Sequence, residues 1–467
     1  MGWSRKEILT ATHGKIVRDG LRSRFGEVVT DSAKVKKGSV FVALRGEKFD
    51  GHSFIGDAIK RGAACLIIHR RVRLPVRLDS AVIKVADTLR ALGDLAHFRR
   101  EQLNPKVLAI TGSNGKTTTK EMVAAILQEA SINGESLREK VLKTEGNFNN
   151  LVGLPLTLLR LRKAHRVAVV ELGTNHPGEI QRLAKIADPD FGMITSIAAA
   201  HLEGLSNIAG VAQEKGALFS NIRAGGAIAV NLDDPRVRSL GAKFPGQKFT
   251  YGGRGRVRAR ATRIHDASGV GFTLQVGAQS CRVRLNYLGQ HNVANALGAA
   301  ALTLGLGVSL TAVRRGLAKA RPFAMRMQIE NWRGIGIIND AYNANPASMQ
   351  AALRTLAEIP ARGQKIAVLG DMFELGRHSR KQHRELGKAA ARAKVRHLYL
   401  LGAESDAVRR GALDAGMAVQ QVTIGKDHGD LANRLRGQLR AGDWLLFKGS
   451  RGMKMEKVLD ELRGRKA

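Results

Sequence analysis

Short apolar runs alternate with longer stretches of helical hydrophobic spacing along most of this chain. Each run ends near Gly, Asp, Asn or Lys and precedes a helical pattern, which predicts strands followed by helices. The runs cover residues 107–111, 166–170, 191–197, 227–232, 365–369, 397–401 and 444–447. Because strands that alternate with helices form parallel sheets, the pattern predicts an α/β protein.

Proline-containing breaks divide this pattern. Asn104-Pro105 interrupts it once, and Ala320-Arg321-Pro322 interrupts it again. A chain of 467 residues has room for about three domains of ~150 residues. We therefore predict domains over residues 1–102, 103–321 and 322–467. Within the second, short alternating segments such as Arg256 to Ile264 and Val270 to Val276 predict a small antiparallel excursion.

The formal net charge is +36, which changes the range of partners to consider. It fits nucleic-acid binding, attraction to anionic lipid, or a generally basic surface. Lys and Arg are scattered along the chain and aromatic residues make up only 4%, so we favour a basic surface and expect no nucleic-acid partner. No apolar run approaches the ~18–20 residues of a membrane helix, and no signal-peptide pattern opens the chain, so we expect a cytoplasmic protein. Cys65 and Cys281 lie far apart and have no zinc-site spacing.

Residues 111–119, Thr-Gly-Ser-Asn-Gly-Lys-Thr-Thr-Thr, carry the clearest chemistry. They join an apolar strand to a helix with Met122, Val123, Ile126 and Leu127 on one face. In such a loop, glycines let backbone amides approach phosphates, a lysine reaches the terminal phosphates, and a hydroxyl holds Mg²⁺. We predict that ATP binds at Gly112, Ser113, Asn114, Gly115, Lys116, Thr117 and Thr118.

Other polar side chains lie directly after predicted strands or at the start of predicted helices. Glu171 ends the strand Val167 to Val170, at the sheet edge where doubly wound folds bind ligands, and could hold Mg²⁺ near Thr117. His201 and Lys215 come after the next strand, and each alone is more often structural than catalytic. Asn292 and Asn295 lie about one helical turn apart. Their amides could contact adenine. Taken alone, Asn292 has an alternative interpretation as the N-cap of a helix.

The third predicted domain has two polar loops of the same kind. Asp340-Ala-Tyr-Asn-Ala-Asn-Pro-Ala-Ser-Met follows one strand, with Pro346 at the first position of a helix. Lys448-Gly-Ser-Arg-Gly follows another strand, where backbone amides and two cations could receive an anionic substrate. A plain strand-to-helix turn explains the second loop equally well.

Taken together, these motifs resemble the Mur ligases, the ATP-dependent amide-forming enzymes of bacterial peptidoglycan synthesis. The resemblance covers all three predicted domains. It rests on the phosphate loop and on Glu145-Gly-Asn-Phe-Asn-Asn, Ala200-His-Leu-Glu-Gly, the Asp340 loop, Leu369-Gly-Asp-Met-Phe-Glu-Leu-Gly and the Lys448 loop. It implies a small N-terminal α/β substrate domain, a central P-loop ATPase-like domain with a parallel sheet, and a C-terminal Rossmann-like domain.

The resemblance also implies roles for particular residues. Lys116, Lys215, His201 and Arg326 would be catalytic, and Asn292, Asn295, Arg326 and Asp340 would complete the nucleotide site. Two Mg²⁺ ions would be held by Thr117, Glu171, His201 and Lys215, the last of these carbamylated. A carbamate supplies an anionic oxygen that suits a hard cation, whereas a protonated amine cannot act as a ligand. Substrate would contact Ser32, Asp50, His52, Asn147, Asn149, Tyr342, Asn343, Asn345, Lys448, Ser450 and Arg451.

The implied substrates are ATP, UDP-N-acetylmuramoyl-tripeptide and D-alanyl-D-alanine, used by a monomer through an acyl phosphate. Three alternatives stay open. One is another ligase of the same superfamily that adds a single amino acid, to a muramyl peptide or to a folate. The second is a basic nucleic-acid-binding P-loop ATPase, suggested by the charge and Lys116. The third is a binding module without catalysis.

Overall fold

Three larger sheets organise the computed structural model, which describes residues 2–46, 49–76, 78–266 and 269–464. Three consecutive segments carry these sheets. We call them the N-terminal unit (Trp3 to Leu103), the middle unit (Lys106 to Lys319) and the C-terminal unit (Gln328 to Leu462). The predicted α/β class is confirmed. The predicted boundaries near 103 and 322 fall beside the last helix of the first two units, and the independent folding of each unit stays a prediction.

The N-terminal unit contains a five-stranded sheet in the order β2-β7-β6-β5-β4, in which only β2 runs antiparallel to its neighbour. The short strands β1 and β3 pair separately. Its elements are β1 Trp3–Ser4, α1 Arg5–Thr12, β2 Lys15–Arg18, β3 Arg24–Phe25, β4 Val28–Val29, β5 Val40–Val42, α2 Ile55–Lys60, β6 Cys65–Ile68, β7 Ala81–Lys84 and α3 Thr88–Leu103.

The middle unit is built on a nine-stranded sheet in the order β11-β12-β8-β13-β14-β15-β16-β17-β18. Its strands are β8 Lys106–Thr111, β9 Ser131–Ile132, β10 Glu135–Ser136, β11 Val141–Lys143, β12 Val167–Glu171, β13 Phe191–Ile194, β14 Ala227–Asn231, β15 Gln247–Tyr251, β16 Val257–Asp266, β17 Gly269–Val276 and β18 Gln279–Leu285. The pairs from β11 to β16 are parallel, and β16 to β18 are antiparallel. The predicted antiparallel excursion therefore exists, and it extends the main sheet.

Helices cover the sheet of the middle unit. They are α4 Lys116–Gln128, α5 Gly153–Leu158, α6 Glu179–Ala187, α7 Leu202–Leu205, α8 Ile208–Gly216, α9 Pro235–Ala242, α10 Gln290–Gly305 and α11 Leu310–Lys319. The apolar face predicted for α4 is fully buried, and it packs with α10 and α11 in one hydrophobic core. This packing fixes the start of α4, and with it the phosphate loop, at the carboxyl end of β8.

The C-terminal unit has a six-stranded sheet in the order β19-β20-β24-β21-β22-β23, parallel except for the edge strand β19. Its elements are β19 Gln328–Trp332, β20 Ile335–Asp340, α12 Pro346–Glu358, β21 Lys365–Gly370, α13 Ser379–Arg392, β22 His397–Leu401, α14 Ser405–Asp414, β23 Val422–Ile424, α15 His428–Arg436, β24 Trp444–Lys448 and α16 Glu456–Leu462. As predicted, Pro346 opens α12, because the missing N–H of a proline costs nothing in the first helical turn.

Two finer points differ from the sequence prediction. The strand predicted over 191–197 ends at Ile194, so His201 lies farther from the sheet than expected. Asn292 does not cap α10, because Gly289 is the residue at that N-cap. Within the described part of the chain, we find no helix that is both long enough and apolar enough to cross a membrane.

Candidate active site

The phosphate loop occupies the turn between β8 and α4. Gly112 and Gly115 have φ angles of +146° and +80°, which L side chains rarely adopt. A Cβ atom on Gly112 would lie 1.8 Å from Thr195 Oγ1, and one on Gly115 would lie 2.2 Å from Asn295 Oδ1. No side chain caps the N-terminus of α4. Its backbone amides and the positive end of the helix dipole therefore form an anion site.

Lys116 lies at the centre of this loop. Its Nζ donates a hydrogen bond to Gly112 O at 2.7 Å, so the side chain folds back across the loop. Burial lowers the pKa of Lys116, the nearby Arg326 lowers it further, and Glu171 acts in the opposite direction. The loop thus gathers two cations at a place where an incoming polyphosphate would compensate their charge.

Glu171 is fully buried at the end of β12 and accepts two side-chain hydrogen bonds. Thr117 Oγ1 donates to Glu171 Oε2 at 2.8 Å, and Asn149 Nδ2 donates to Glu171 Oε1 at 2.8 Å. The described residues contain no group of three or more His, Cys, Asp or Glu side chains that could hold a metal ion. A cation bound here would therefore take its remaining ligands from a hydroxyl, a modified side chain, phosphate or water.

Lys215 is fully buried beneath this part of the site, at the end of α8. Its Nζ has no hydrogen-bond partner among the residues that the structure describes. Burial lowers the pKa of Lys215 well below its usual value, Lys116 acts in the same direction, and Glu214 and Glu171 oppose the shift. Burial therefore favours the neutral amine over the ammonium, and buried polar atoms in folded proteins usually have a hydrogen-bond partner.

The C-terminal unit supplies the opposite side of the site. Lys448 Nζ, at the end of β24, donates to Asp340 Oδ2 at 2.6 Å and to Asn343 O at 2.8 Å. Asp340 Oδ1 accepts from Met327 N at 3.0 Å. The Arg326 guanidinium lies 3.9 Å from the centre of the Tyr342 ring, a cation–π contact. The Lys448 ammonium is therefore held in place and faces the phosphate loop.

A cavity of about 720 Å³ separates the two sides, and the described residues join across it at two places. Asn345 Nδ2 donates to Asn114 Oδ1 at 2.7 Å, linking α12 to the phosphate loop. His201 Nδ1 bonds to Glu374 Oε2 at 2.5 Å, and Glu203 N donates to Glu374 O at 3.3 Å. The nitrogen Nε2 is then the one left on the His201 ring for a metal.

The structure brings most predicted site residues to this cavity. Those that line it are Ser113, Asn114, Gly115, Lys116, Thr118, Asn147, Asn149, Glu171, His201, Asn292, Asn295, Arg326, Asp340, Tyr342, Asn343, Asn345, Lys448, Ser450 and Arg451. Gly112, Thr117 and Lys215 do not line it, and each is buried. Asn295 Nδ2 donates to Asn292 Oδ1 at 3.0 Å, and Asn292 Nδ2 donates to Leu288 O, so the two amides form a chain against Gly115.

Three of the predicted substrate-contacting residues, Ser32, Asp50 and His52, lie elsewhere, in the N-terminal unit. Asp50 Oδ1 is 2.7 Å from His52 Nδ1, and Arg70 Nη2 donates to Asp50 Oδ2 at 2.8 Å. The hydrogen bond from the His52 amide holds the pKa of Asp50 well below its usual value, and the His52 and Arg70 side chains add to the shift. Burial lowers the pKa of His52. Ser32 lies in a short 3₁₀ turn, partly exposed.

Sequence reasoning missed several residues of the cavity. His291, Arg354, Phe373 and Glu374 all line it. Burial lowers the pKa of His291 to about 4, so this imidazole is neutral at physiological pH. Its position directly before Asn292 was an available signal. Phe373 and Glu374 belong to the Leu369-Gly-Asp-Met-Phe-Glu-Leu-Gly segment, whose motif was recognised without selecting these two side chains.

Family models match the chain in three places. The model described as Mur ligase family, catalytic domain, matches residues 25–100, and the Mur ligase middle domain matches residues 110–303. The model described as Mur ligase, glutamate ligase domain, matches residues 325–451. These segments follow the three sheets in order.

Individual relatives agree with the family models. The UDP-N-acetylmuramoyl-tripeptide–D-alanyl-D-alanine ligase of Escherichia coli is 37% identical over 444 residues, covering 93% of both chains. The enzyme of the same name from Bacillus subtilis is 35% identical, covering 93% of this chain and 92% of its own. The solved structure of MurF from Acinetobacter baumannii superposes with a TM-score of 0.90 at 33% identity, covering 100% of this chain and 99% of its own.

A further structure is informative about the nucleotide. The MurF ligase of Thermotoga maritima, solved in complex with ADP, superposes with a TM-score of 0.82 at 27% identity, covering 94% of this chain and 97% of its own. Since the family models, the relatives and the solved structures agree over nearly the whole length, this protein belongs to the Mur ligase family.

Proposed function

We propose that this protein uses ATP to join D-alanyl-D-alanine to UDP-N-acetylmuramoyl-tripeptide, a cytoplasmic step of peptidoglycan synthesis carried out by a monomer. One observation carries the proposal. A phosphate loop faces the cations Lys448 and Arg326 across a single cavity shared by two units. Relatives 32–37% identical over nearly the whole chain bear the name of this ligase.

The nucleotide would bind along the side formed by the middle unit. The amides of residues 112–118 and the Lys116 ammonium would hold the phosphates. Asn292 and Asn295 would contact the adenine, because their amide groups line the cavity beside the loop. Arg326, which lies just before the C-terminal unit, and Asp340 within that unit would complete this part of the site.

The donor groups fit magnesium. Glu171 and Thr117 offer a carboxylate and a hydroxyl in contact with each other, which is the oxygen chemistry that Mg²⁺ prefers. His201 Nε2 and a carbamate on Lys215 would be further ligands, and two ions would be accommodated. When bound, Mg²⁺ would neutralise phosphate oxygens during transfer.

The Lys215 environment favours carbamylation. Its uncharged amine nitrogen would attack the carbon of CO₂, a proton would leave the nitrogen, and the resulting carbamate would be an anion. That anion would lie near the Lys116 ammonium, whose charge already acts on Lys215. Lys215 Nζ is buried and has no hydrogen-bond partner among the described residues. Carbamylation would give this side chain two oxygen atoms that can bind a cation.

The chain's residues would act mainly by positioning charge. A tripeptide carboxylate and ATP are both anions, so Lys116, Arg326 and Lys448 would reduce their repulsion at the point of encounter. The carboxylate oxygen would attack the γ-phosphorus, and ADP would leave. The amine of D-alanyl-D-alanine would then attack the acyl phosphate carbonyl, and phosphate would leave from the tetrahedral adduct.

Phosphate release tests the proposal directly. ATP and Mg²⁺ are supplied with UDP-N-acetylmuramoyl-tripeptide, with and without D-alanyl-D-alanine, and the nucleotide product is weighed by mass spectrometry. We expect release to require both substrates and the product to gain the mass of the dipeptide less water. Release that responds to a single amino acid or to nucleic acid would instead assign the activity to one of the alternatives.

A matched pair of variants and a chelator complete this test. Lys116→Met should reduce phosphate release by at least about a hundredfold. A fixed positive charge beside the negative charge that develops on phosphate stabilises the transition state by ~3 kcal/mol or more. Lys36→Met, at an exposed ion pair in the N-terminal unit, should leave it unchanged. Removing Mg²⁺ with EDTA should abolish release, and adding Mg²⁺ back should restore it.

Carbamylation has a test independent of turnover. Protein equilibrated with ¹³C-bicarbonate should show a carbamate carbon signal by NMR that disappears in Lys215→Met. A wild-type spectrum without that signal would remove the carbamate from the proposal and leave the ligase assignment intact.

A further inference from the structure

Two neighbouring segments of the N-terminal unit form a surface outside the proposed ligase cavity, and Arg70 at one end of it is hydrogen-bonded to the predicted substrate residue Asp50. We call it the basic apolar edge and define it as residues 15–24 and 70–79, of which Arg77 lies outside the described residues. The first segment contains β2, the edge strand of its sheet, and the turn that follows. Leu21 N donates to Asp79 O at 3.0 Å, and Arg18 Nη1 donates to Pro75 O at 2.7 Å. The segments therefore lie side by side.

Apolar side chains project from this edge into solvent. Leu21 is 82% exposed and Val76 is 92% exposed, and Ile16 and Val17 on β2 are exposed as well. Nine large apolar side chains of the described residues are exposed, and these are four of them. Single exposed apolar residues are ordinary on a protein surface, but a group in one place indicates an interaction site.

Cations surround these apolar side chains. The described residues of the edge include seven Lys or Arg residues and two Asp residues. Among the described ones, Arg22, Arg24, Arg71 and Arg73 are exposed together with Lys15. Of the two carboxylates, Asp19 is paired with Arg5 at 2.9 Å. The described residues of the edge thus carry a net charge of +5 beside exposed apolar groups.

We propose that the basic apolar edge binds the surface of an anionic lipid membrane. Basic side chains attract anionic headgroups within a Debye length of about 8 Å at physiological salt, and short apolar side chains enter the boundary between headgroups and acyl chains. Leu21 and Val76 stand on separate turns, which suits insertion of single side chains into lipid. The interaction is peripheral and independent of the ligase assignment.

Other partners fit the edge less well. A second copy packed by two-fold symmetry would place its cations against these, which is unfavourable. Addition of a peptide strand to β2 would meet a register irregularity between Ile16 and Arg18, a feature that disrupts edge pairing. Single-stranded nucleic acid is bound by stacking its bases on aromatic rings, whereas the exposed side chains here are aliphatic.

Vesicle co-sedimentation of the full-length protein tests the proposal. The vesicles contain phosphatidylcholine alone, or phosphatidylcholine with one third phosphatidylglycerol, in low and high salt. We expect binding to the anionic vesicles at low salt, loss of that binding at high salt, and little binding to neutral vesicles. Equal binding to both kinds of vesicle, or to neither, overturns the proposal.

Matched variants separate this edge from the general charge of the protein. The double charge reversal Arg22→Glu with Arg71→Glu should weaken vesicle binding at least about tenfold, since each basic residue near an anionic surface contributes to the free energy of binding. Leu21→Ser with Val76→Ser should weaken it about fivefold at unchanged charge. The control Arg380→Glu with Lys381→Glu, on α13, makes the same change in charge at exposed positions of the C-terminal unit and should bind like wild type. Val419→Ser replaces one exposed apolar side chain of that unit and should also bind like wild type.

Two further readouts keep the outcome clear. Thermal unfolding should show that every variant is folded. Ligase activity in solution should be unchanged, because none of the substituted residues lines the cavity and none makes a hydrogen bond to Asp50 or His52 in the described part of the chain. Controls that lose binding as strongly as the edge variants would overturn the proposal. So would dimerisation by light scattering that is abolished by the edge variants without vesicle binding, since the edge would then contact a second copy.

Discussion

The middle unit meets its two neighbours in different ways. Toward the N-terminal unit, helix α3 packs on α5 and α6, and buried apolar residues continue from one unit into the other. Arg100 of α3 is only 1% exposed, and its guanidinium donates to Ala187 O at 3.1 Å and Asp188 O at 2.8 Å. It also lies 3.3 Å from Asp190. This interface therefore holds a buried cation whose hydrogen bonds are satisfied in one geometry.

Toward the C-terminal unit, the centre of the interface is the polar cavity of about 720 Å³. Apolar residues of both units belong to one buried cluster, but the side-chain hydrogen bonds across the cavity are those of Asn345 with Asn114 and His201 with Glu374. Each can break without leaving a fully buried charge.

The contrast indicates which joint moves. An interface around a buried, hydrogen-bonded cation is costly to open, whereas one centred on a polar cavity costs less to open. We therefore expect the N-terminal and middle units to behave as one body, and the C-terminal unit to open for substrates and close for chemistry. Closure would also exclude water from an acyl phosphate.

The largest expected effect comes from disrupting the interface between the N-terminal and middle units. Arg100→Met should lower the free energy of unfolding by about 3 kcal/mol, because Asp190 and two backbone carbonyls lose a buried partner. Lys106 and the amide of Val107 still contact Asp190, which places the loss at the lower end of the usual range. Urea denaturation measures it.

Arg90→Met is the matched control on the same helix. Arg90 is paired with Asp94 at 3.9 Å on an exposed surface, so its loss should cost less than about 1 kcal/mol. If Arg100→Met were no more destabilising than this control, the conclusion that the N-terminal and middle units behave as one body would be wrong.

A smaller effect should come from weakening the interface between the middle and C-terminal units at Asn345. This residue caps α12 and also donates to Asn114. Asn345→Ser keeps a cap but is too short to reach the phosphate loop, so we expect kcat to fall about fivefold, as for one hydrogen bond of ~1 kcal/mol. The free energy of unfolding should hardly change.

Asn345→Asp is the control for this prediction. The carboxylate still caps the helix, and Asn114 can turn its amide to donate across the interface. Activity close to wild type is expected. A large loss of stability in Asn345→Ser, with kcat unchanged in the folded fraction, would show that the residue acts only as a cap.

The same contrast explains what the sequence could predict. The phosphate loop, Glu171 and the amides of Asn292 and Asn295 lie on the middle unit, where short segments carry their own geometry through a strand end, a glycine turn or a helical spacing. Resemblance to a family supplied Tyr342, Asn343, Asn345 and Lys448 on the opposite side, where composition alone was ambiguous.

Residues whose position depends on long-range packing were harder to find. Glu374 becomes part of the site through His201, which is 173 residues away in sequence. The antiparallel strands β16 to β18 were predicted, but their junction with the main sheet depends on one pairing, Tyr251 with Val257. Asp50 and His52 are hydrogen-bonded to each other, and their role in binding substrate stays a prediction.

The smallest expected effect sharpens the comparison at Glu374. This carboxylate is about half exposed and pairs with His201 across the interface, so solvent screening limits the pair to ~1 kcal/mol or less. Glu374→Gln keeps the size of the side chain and removes its charge. We expect kcat to fall no more than about fivefold, with the free energy of unfolding unchanged.

The pH dependence gives this last prediction a sign. The hydrogen bond from His201 holds the pKa of Glu374 below its usual value while the two units are in contact. The pair therefore favours closure fully above the usual carboxyl range, and its contribution disappears as pH falls through the lowered pKa. Wild type and Glu374→Gln should differ most near neutral pH and converge in acid. Glu385→Gln, at a surface pair with Lys388 within one unit, should follow wild type throughout. If both variants behaved alike, Glu374 would be an ordinary surface carboxylate, and closure would depend on Asn345 and the bound substrates.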